Sequence, residues 1–346
     1  MVLDITGRYR YPAPRNTWLQ QYTEDIIEPT LPIIDPHHHI WEEQGNTYLL
    51  PELTADLHTG HNIVATVFVQ AGYGYRQSGE DILKCVGETE KIVQLAAAAH
   101  EQGMATDVCT GIVGFADLTL GARVSDVLEA HLQAAPGRFK SIRHSVSRDP
   151  NFPDGIVLRP APAGLLADTQ YRAGLAKVAE YDLGYDAMLY HRQIPELTAL
   201  ARALPHLPIV LNHFGCIIGV GPYLGREKEN FESWRRDLRE LAQCNNVVIK
   251  LGGMGMIICG ACYHERPSPP ASADLAADWR PYVETCIELF GVERCMFESN
   301  FPVDKAMFSY PVLWNAYKRL TAGASVGEKA ALFHDTAARF YRIQSL

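Results

Sequence analysis

Three consecutive histidines follow an Asp-Pro pair in residues 33–41, which read IIDPHHHIW. Side chains alternate between the two faces of a strand, so Asp35, His37 and His39 are expected on one face. Two imidazoles spaced i, i+2 at the end of a strand can converge on one metal ion or on one substrate oxygen. Hydrogen-bonded core histidines are the structural alternative, but three in a row at the end of an apolar run favour a functional role.

Polar residues also end most of the other apolar runs of the chain. These residues are Gln70, Arg143, His144, Tyr190, His191, His213, Lys250, Glu298 and Asn300. A single polar residue at such a place can simply mark where the chain reaches solvent. Because the carboxyl ends of barrel strands surround one cavity, so many together predict a collective site. Arg143 is suited by type to bind a carboxylate or a carbonyl, since its planar guanidinium donates two parallel hydrogen bonds. Tyr190, His191 and Lys250 can do similar work, and a structural ion pair is the alternative for Arg143.

The elements that must position these residues alternate between short apolar runs and amphipathic stretches, which is typical of βαβ units and a parallel sheet. The runs cover residues 32–35, 63–70, 111–118, 139–144, 185–191, 209–213, 247–251 and 294–299. Helices are expected over 81–102, 124–135, 171–181, 194–203, 231–243, 279–290, 312–321 and 327–341. Eight runs favour a closed (β/α)8 TIM barrel over an open doubly wound sheet.

The 346 residues fit one barrel of about 250 residues with about 100 residues of additions. We expect an N-terminal arm over residues 1–30 and the barrel over 31–346. The arm can pack on its own barrel or on a neighbouring subunit of a homo-oligomer. Three irregular segments follow strands, where barrels form substrate pockets. They cover residues 147–168, 216–230 and 252–273. Arg266 lies in the last of them, in a loop that could close the pocket.

Charge and composition exclude several classes of protein. The 31 Lys and Arg residues against 40 Asp and Glu residues give a net charge of −9, which argues against a nucleic acid or an anionic membrane as partner. An anionic small-molecule substrate stays compatible with locally clustered cations. No apolar stretch approaches the roughly 18–20 residues that span a bilayer. Eight scattered cysteines fit reduced thiols, and we expect a cytoplasmic protein.

Three motifs, DPHHHIW, IVLNHFG and MFESNFPVD, resemble the first-, sixth- and eighth-strand motifs of the amidohydrolase-related branch of the amidohydrolase superfamily. The resemblance covers residues 31–341. That branch consists of (β/α)8 barrels and includes lactonases and some decarboxylases. The resemblance implies that His37 and His39 form the first-strand pair and that His213 is the sixth-strand histidine. These three could hold one divalent ion, with zinc as first choice. Metal-free catalysis is the equal alternative, because the usual carboxylate ligand and bridging lysine are not evident and some lactonases of the branch lack a metal.

The chain departs from the family pattern at Asn300, which stands where the eighth-strand aspartate is usual. That aspartate acts as general base in the superfamily, whereas an amide cannot usefully accept a proton at neutral pH. The missing carboxylate could come from Glu298, deeper on the same strand face, or from Asp304, just beyond the strand. A histidine without metal could also be the base. Asp304 is slightly favoured, because a residue beyond the strand end reaches substrate more easily; a helix N-cap before residues 307–317 is its structural alternative.

These residues together predict a lactonase-like hydrolase that acts on a small molecule. Arg143 and the histidines, or a zinc ion that they hold, would polarise the carbonyl while Asp304 or Glu298 activates water. One alternative is a non-oxidative decarboxylase on the same scaffold, although decarboxylases of this branch generally keep the aspartate that Asn300 replaces. The other is a catalytically retired barrel that binds a small molecule, and Asn300 favours this alternative.

Overall fold

The computed structural model describes residues 12–43, 46–152 and 160–344. Eight parallel strands form one sheet, in which each strand pairs with the next one along the chain. The strands are β1 (Pro32–His38), β2 (Asn62–Val69), β3 (Asp107–Gly114), β4 (Phe139–Ile142), β5 (Gly184–Ala187), β6 (Ile209–Leu211), β7 (Val247–Leu251) and β8 (Cys295–Phe297). This arrangement confirms the predicted (β/α)8 barrel, and every predicted run overlaps one of the strands.

Each strand is followed by a helix on the outside of the barrel. The helices are α1 (Leu50–Leu57), α2 (Val86–Glu101), α3 (Val124–Ala134), α4 (Thr169–Glu180), α5 (Ile194–Ala203), α6 (Glu227–Leu241), α7 (Ser272–Phe290) and α8 (Tyr310–Leu320). A C-terminal helical segment follows, with α-helical turns Val326–Ala330 and Thr336–Phe340 on either side of a π-helical turn, Ala331–Asp335. The sequence analysis missed α1, because eight residues are too few for a clear amphipathic period.

Several predicted strands extend too far at their carboxyl ends. The polar residues there lie in short 3-10 turns instead, at His191–Gln193 after β5 and at His213–Gly215 after β6. His213 and Phe214 have φ angles of 55° and 56°, in the left-handed region, which lies outside the range of regular strands. The chain therefore leaves β6 before it reaches His213.

The barrel closes between β1 and the segment after β8. The backbone N–H of His39 donates to the carbonyl of Phe301 at 2.7 Å, and that of Asn300 donates to the carbonyl of His37 at 2.9 Å. These bonds hold the histidine-bearing end of β1 directly against the eighth-strand motif.

Asp35 strengthens the same seam from within and does not face the cavity with His37 as predicted. Its carboxylate accepts hydrogen bonds from the Ser299 N–H and the Tyr310 hydroxyl, both at 3.0 Å. The register between β1 and β2 shifts between Asp35 and His38, and this irregularity breaks the strict alternation of side chains. Burial raises the pKa of Asp35 to about 6.

The inside of the barrel is filled at its amino end by a separate apolar cluster, the inner apolar layer. Its buried members are Ile34, Ala65, Val67, Val69, Val113, Val210, Met296, Ala337 and Tyr341. The last two belong to the C-terminal segment, which packs against β1 and β8. The amino end of the barrel is therefore a packed core, as is usual for this fold.

The described part of the N-terminal arm packs on its own barrel. The indole N–H of Trp18 donates to the carbonyl of Arg266 at 3.1 Å, and the N–H of Ile27 donates to the side-chain oxygen of Asn315 in α8 at 2.9 Å. Residues 1–11 of the predicted arm and residues 153–159 of the predicted loop 147–168 lie outside the described residues. Among the described residues, no helix is long and apolar enough to cross a membrane.

Candidate active site

The two histidines of β1 meet at the carboxyl end of the barrel. The Nε2 atoms of His37 and His39 lie 3.3 Å apart. His39 Nδ1 lies 2.7 Å from the carbonyl of Val69, and since a carbonyl can only accept, this nitrogen carries the hydrogen and leaves Nε2 with a lone pair. Burial lowers the pKa of both rings well below the ordinary value, with a further contribution from Lys250 at His37 and from Arg143 at His39. Both imidazoles are therefore neutral at pH 7.

Glu298 joins His37 to His213. Its Oε1 lies 2.6 Å from His213 Nδ1, and its Oε2 lies 2.7 Å from His37 Nδ1. The carboxylate is fully buried, so the two imidazoles are its immediate surroundings. Since a carboxylate can only accept, Nδ1 of His213 donates to it.

The glycines after β7 make the room that this arrangement requires. A Cβ atom on Gly252 would lie 2.4 Å from Cγ of Glu298, and one on Gly253 would lie 2.5 Å from Nδ1 of His213. Gly253 also has a φ of +75°, which favours glycine. The first two glycines of the GGMG stretch (residues 252–255) therefore leave room for the side chains of Glu298 and His213. This stretch matches no phosphate-binding loop.

Two cations flank His37, one at each ring nitrogen. Lys250 Nζ lies 3.3 Å from Nδ1, and Arg143 Nη1 lies 3.3 Å from Nε2. Arg143 also donates a hydrogen bond through Nη2 to the carbonyl of Gln70. Gln70 thus contributes to the site through its backbone. The structure brings six predicted residues together, and we call them the polar centre: His37, His39, Arg143, His213, Lys250 and Glu298.

The sequence analysis missed Asp186, the partner of Lys250. The two form a fully buried ion pair at 2.8 Å. Asp186 also accepts hydrogen bonds from the hydroxyls of Ser141 at 2.6 Å and Tyr341 at 2.8 Å, and from the amide of Asn212 at 3.2 Å. Asp186 and Lys250 each lie inside an apolar strand, and this was the available signal. Because ionised residues at such positions are rarely buried without a partner, the two could have been predicted to pair.

Asn300 and Asp304 bind each other rather than the histidine side chains. The Asn300 amide donates to Asp304 Oδ1 at 2.9 Å, and the N–H of Gly255 donates to Oδ2 at 3.0 Å. Burial raises the pKa of Asp304 well above its ordinary value. Asp304 is not a helix N-cap either, since Ser309 precedes the first residue of α8. The structure thus places Glu298, and not the slightly favoured Asp304, against the histidines.

His144 and His191 have structural contacts instead of positions beside His37. Nδ1 of His144 accepts the N–H of Leu118, and Nδ1 of His191 accepts the N–H of Ile218, both at 3.2 Å. Each ring thereby fixes the backbone of a loop at the carboxyl end of the barrel. Burial lowers the pKa of His191 to about 4, so it is uncharged at pH 7.

Tyr190 and Arg266 lie farther out. The ring of Tyr190 packs edge-on against Phe152 with centroids 5.9 Å apart. Tyr190 belongs to an apolar cluster of the strand-end loops, with Cys216, Ile218, Val220, Tyr223, Met256, Ile258 and Val303. The guanidinium of Arg266 covers the ring of Tyr263 at 4.6 Å, and its carbonyl receives the Trp18 indole. Both residues thus lie in segments that follow strands, Tyr190 after β5 and Arg266 after β7.

A subset of the polar centre has the donor atoms of a metal site. Among the described residues, His37, His213 and Glu298 offer ligand atoms that all lie within 4.8 Å of one another. Glu298 Oε2 is buried and makes no hydrogen bond of acceptable geometry, although His37 Nδ1 is 2.7 Å away. A buried carboxylate oxygen without a donor, next to neutral imidazoles, fits a divalent cation. The predicted metal ligands are His37, His39 and His213. The observed group has Glu298 in place of His39, and His39 lies next to the group, beside His37.

Comparison with known proteins places the chain in a family. The family model described as amidohydrolase matches residues 34–343. An uncharacterised protein of Sinorhizobium fredii is 35% identical over 341 residues, covering 90% of this chain and 98% of that protein. An L-fucono-1,5-lactonase of Burkholderia multivorans is 25% identical over 339 residues, covering 90% of this chain and 96% of the lactonase.

A solved structure supports the same fold. An amidohydrolase from Burkholderia multivorans with bound zinc has a TM-score of 0.69 and 24% identity, covering 90% of this chain and 99% of that chain. At this identity the likeness concerns the barrel alone. The family match, in contrast, covers most of the chain and includes all the residues of the polar centre. The chain belongs to the amidohydrolase family.

Proposed function

We propose that this protein is a hydrolase that opens a lactone by attack of an activated water molecule. The observation that carries the proposal is the Glu298 carboxylate between the Nδ1 atoms of His37 and His213, at 2.7 and 2.6 Å. A carboxylate that is hydrogen-bonded to Nδ1 of His213 orients that imidazole and increases its basicity. The similarity to an L-fucono-1,5-lactonase supports a cyclic ester as substrate.

When no metal ion is bound, the pair of His213 and Glu298 removes a proton from water. His213 donates from Nδ1 to the carboxylate, so its Nε2 can take the proton while Glu298 stabilises the imidazolium that forms. Arg143 lies on the other side of His37. Its guanidinium is a suitable donor to the lactone carbonyl, where negative charge develops during attack.

His37, His213 and Glu298 are the residues that would hold a divalent metal ion, with zinc as the first choice. Such an ion would polarise the carbonyl and lower the pKa of water, and His213 would then be a ligand rather than the base. His39 adjoins this group, because its Nε2 lies 3.3 Å from that of His37.

The substrate that we propose is a small lactone, neutral or anionic, that enters between the strand-end loops. Arg143 is the cation suited to an anionic group on it. All eight cysteines are free thiols, which agrees with a reducing compartment such as the cytoplasm.

The test is a paired screen on protein with and without added zinc, with His213→Ala as the inactive control. A pH indicator would follow acid release from a panel of sugar and dicarboxylate lactones, and a second assay would follow CO2 release from aromatic acids. Lactone opening that His213→Ala abolishes supports the proposal. CO2 release without lactone opening would replace it by the decarboxylase, and tight binding of a lactone without turnover would replace it by a retired barrel.

A further inference from the structure

Lys250 is an unusual residue for the inside of a barrel, because its side chain is fully buried where branched apolar residues dominate. Its ammonium group is held in one position by Asp186 at 2.8 Å. Asp186 in turn is fixed by Ser141 and by Tyr341, which reaches it from the C-terminal segment. Several elements of the fold therefore cooperate to place one positive charge beneath His37.

This charge adjoins a proposed metal ligand. Lys250 Nζ lies 3.3 Å from Nδ1 of His37, the nitrogen that also faces Glu298 Oε2 at 2.7 Å. A carboxylate next to a ligating imidazole strengthens it as a ligand, and a donor such as an ammonium withdraws electron density from it. Two positive charges a few ångströms apart in a water-poor interior also repel each other strongly.

We propose that Lys250 is a positioning residue that weakens the binding of a divalent metal ion to His37, His213 and Glu298. Its ammonium group is a fixed positive charge in the polar centre, next to the residues that would hold the ion. This inference rests on the metal-holding part of the proposed function but not on the identity of the substrate. The ammonium acts on the ion through His37, the ligand that it contacts at Nδ1.

The test is the dissociation constant of Zn2+, measured on metal-stripped protein by competition with a chromophoric chelator. Lys250→Met removes the charge and the donor, and Lys250→Gln removes the charge alone. We expect both variants to bind Zn2+ at least tenfold more tightly than the parent protein. Asp186 keeps three donors in each variant, from Ser141, Asn212 and Tyr341.

Lys318→Met is the matched control. Lys318 is also buried, and its Nζ lies 2.8 Å from Nδ1 of His61, just before the amino end of β2 and far from the polar centre. We expect this variant to keep the parent dissociation constant. Thermal unfolding would establish that each variant is folded, and Lys250→Met combined with Asp186→Asn provides a second, charge-balanced variant.

An unchanged or weaker Zn2+ affinity in the folded Lys250 variants would overturn the inference, and so would an equal gain in the Lys318 control. Failure of all variants to bind Zn2+ at millimolar concentration would also overturn it. The outcome is separable from that of the proposed function. A protein that opens no lactone can still show the tenfold gain, and an active lactonase can fail to show it.

Discussion

The two halves of the barrel interior are built from the same strands but differ in composition. Val210 on β6 belongs to the inner apolar layer, and His213, three residues later, belongs to the polar centre. Packing of the first half stabilises the fold, while the second half gathers ionisable groups that a stable core would exclude. Tyr341 connects the halves, because its ring packs in the apolar layer and its hydroxyl binds Asp186. The difference indicates that stability and chemistry can be disrupted separately.

The largest effect is expected from a pair of substitutions on β6 and the turn after it. His213→Ala should lower kcat by about 100- to 10,000-fold, because it removes the proposed proton acceptor, at little cost in the free energy of unfolding. Val210→Ala should do the reverse and lower the free energy of unfolding by about 1–3 kcal/mol through a cavity. Lactone turnover and urea denaturation would measure both. If Val210→Ala lost activity but kept its free energy of unfolding, the separation between a stabilising apolar layer and a catalytic polar centre would be contradicted.

The next effect concerns two arginines at opposite ends of β4. Arg143→Lys should lower kcat/KM by about 10- to 100-fold, because lysine lacks the planar pair of donors and a charged hydrogen bond contributes about 1.5–3 kcal/mol. Arg138→Lys is the control, since Arg138 binds Asp107 and nearby carbonyls at the amino end. Steady-state kinetics of both variants would be compared. An equal decrease in kcat/KM in the two variants would show that Arg143, at the carboxyl end of β4, has no special role in catalysis.

The pH dependence of stability should isolate His38, which lies between the two site histidines but binds Thr66 on β2 at 3.0 Å. Burial lowers its pKa to about 4. The unfolded chain therefore takes up a proton below about pH 6.5 that the folded chain refuses, so His38 costs stability as the pH falls from 6.5 to 4. Between pH 7 and pH 5, His38→Gln should lose about 2 kcal/mol less free energy of unfolding than the parent protein. Denaturant titrations at both values measure the difference, and equal losses would refute it.

The smallest effect is expected from Tyr341→Phe, which removes the hydroxyl that links the two halves. The loss of one hydrogen bond to Asp186 should cost about 1 kcal/mol of unfolding free energy. Lactone turnover should fall by less than about tenfold, a change of about 1.4 kcal/mol. Ser141 and Asn212 still hold Asp186 in place, and Asp186 still binds Lys250. Tyr181→Phe, which loses an exposed bond to Glu129, is the control for stability. A larger loss of activity would mean that the C-terminal segment governs the site more strongly.

The sequence predicts the barrel and most of the polar centre because both depend on local patterns. Apolar runs with polar ends mark the strands, and His37, His39 and His213 stand at such ends. It predicts less well where distant residues decide the outcome. The preference for Asp304 over Glu298 considered reach alone, but the position of Glu298 depends on Gly252, which leaves space for its side chain. The role of Asp186 likewise depends on a contact between strands that no local pattern reveals.

The central claim is that Glu298, and not Asp304, is the working carboxylate of the site. The kcat for lactone opening in Glu298→Gln and Asp304→Asn tests it most directly. Glu298→Gln should lower kcat by about 100- to 10,000-fold. Asp304→Asn should stay within about tenfold, because burial already favours the uncharged acid and asparagine still accepts the N–H of Gly255. A large loss in Asp304→Asn with activity kept in Glu298→Gln would contradict the account.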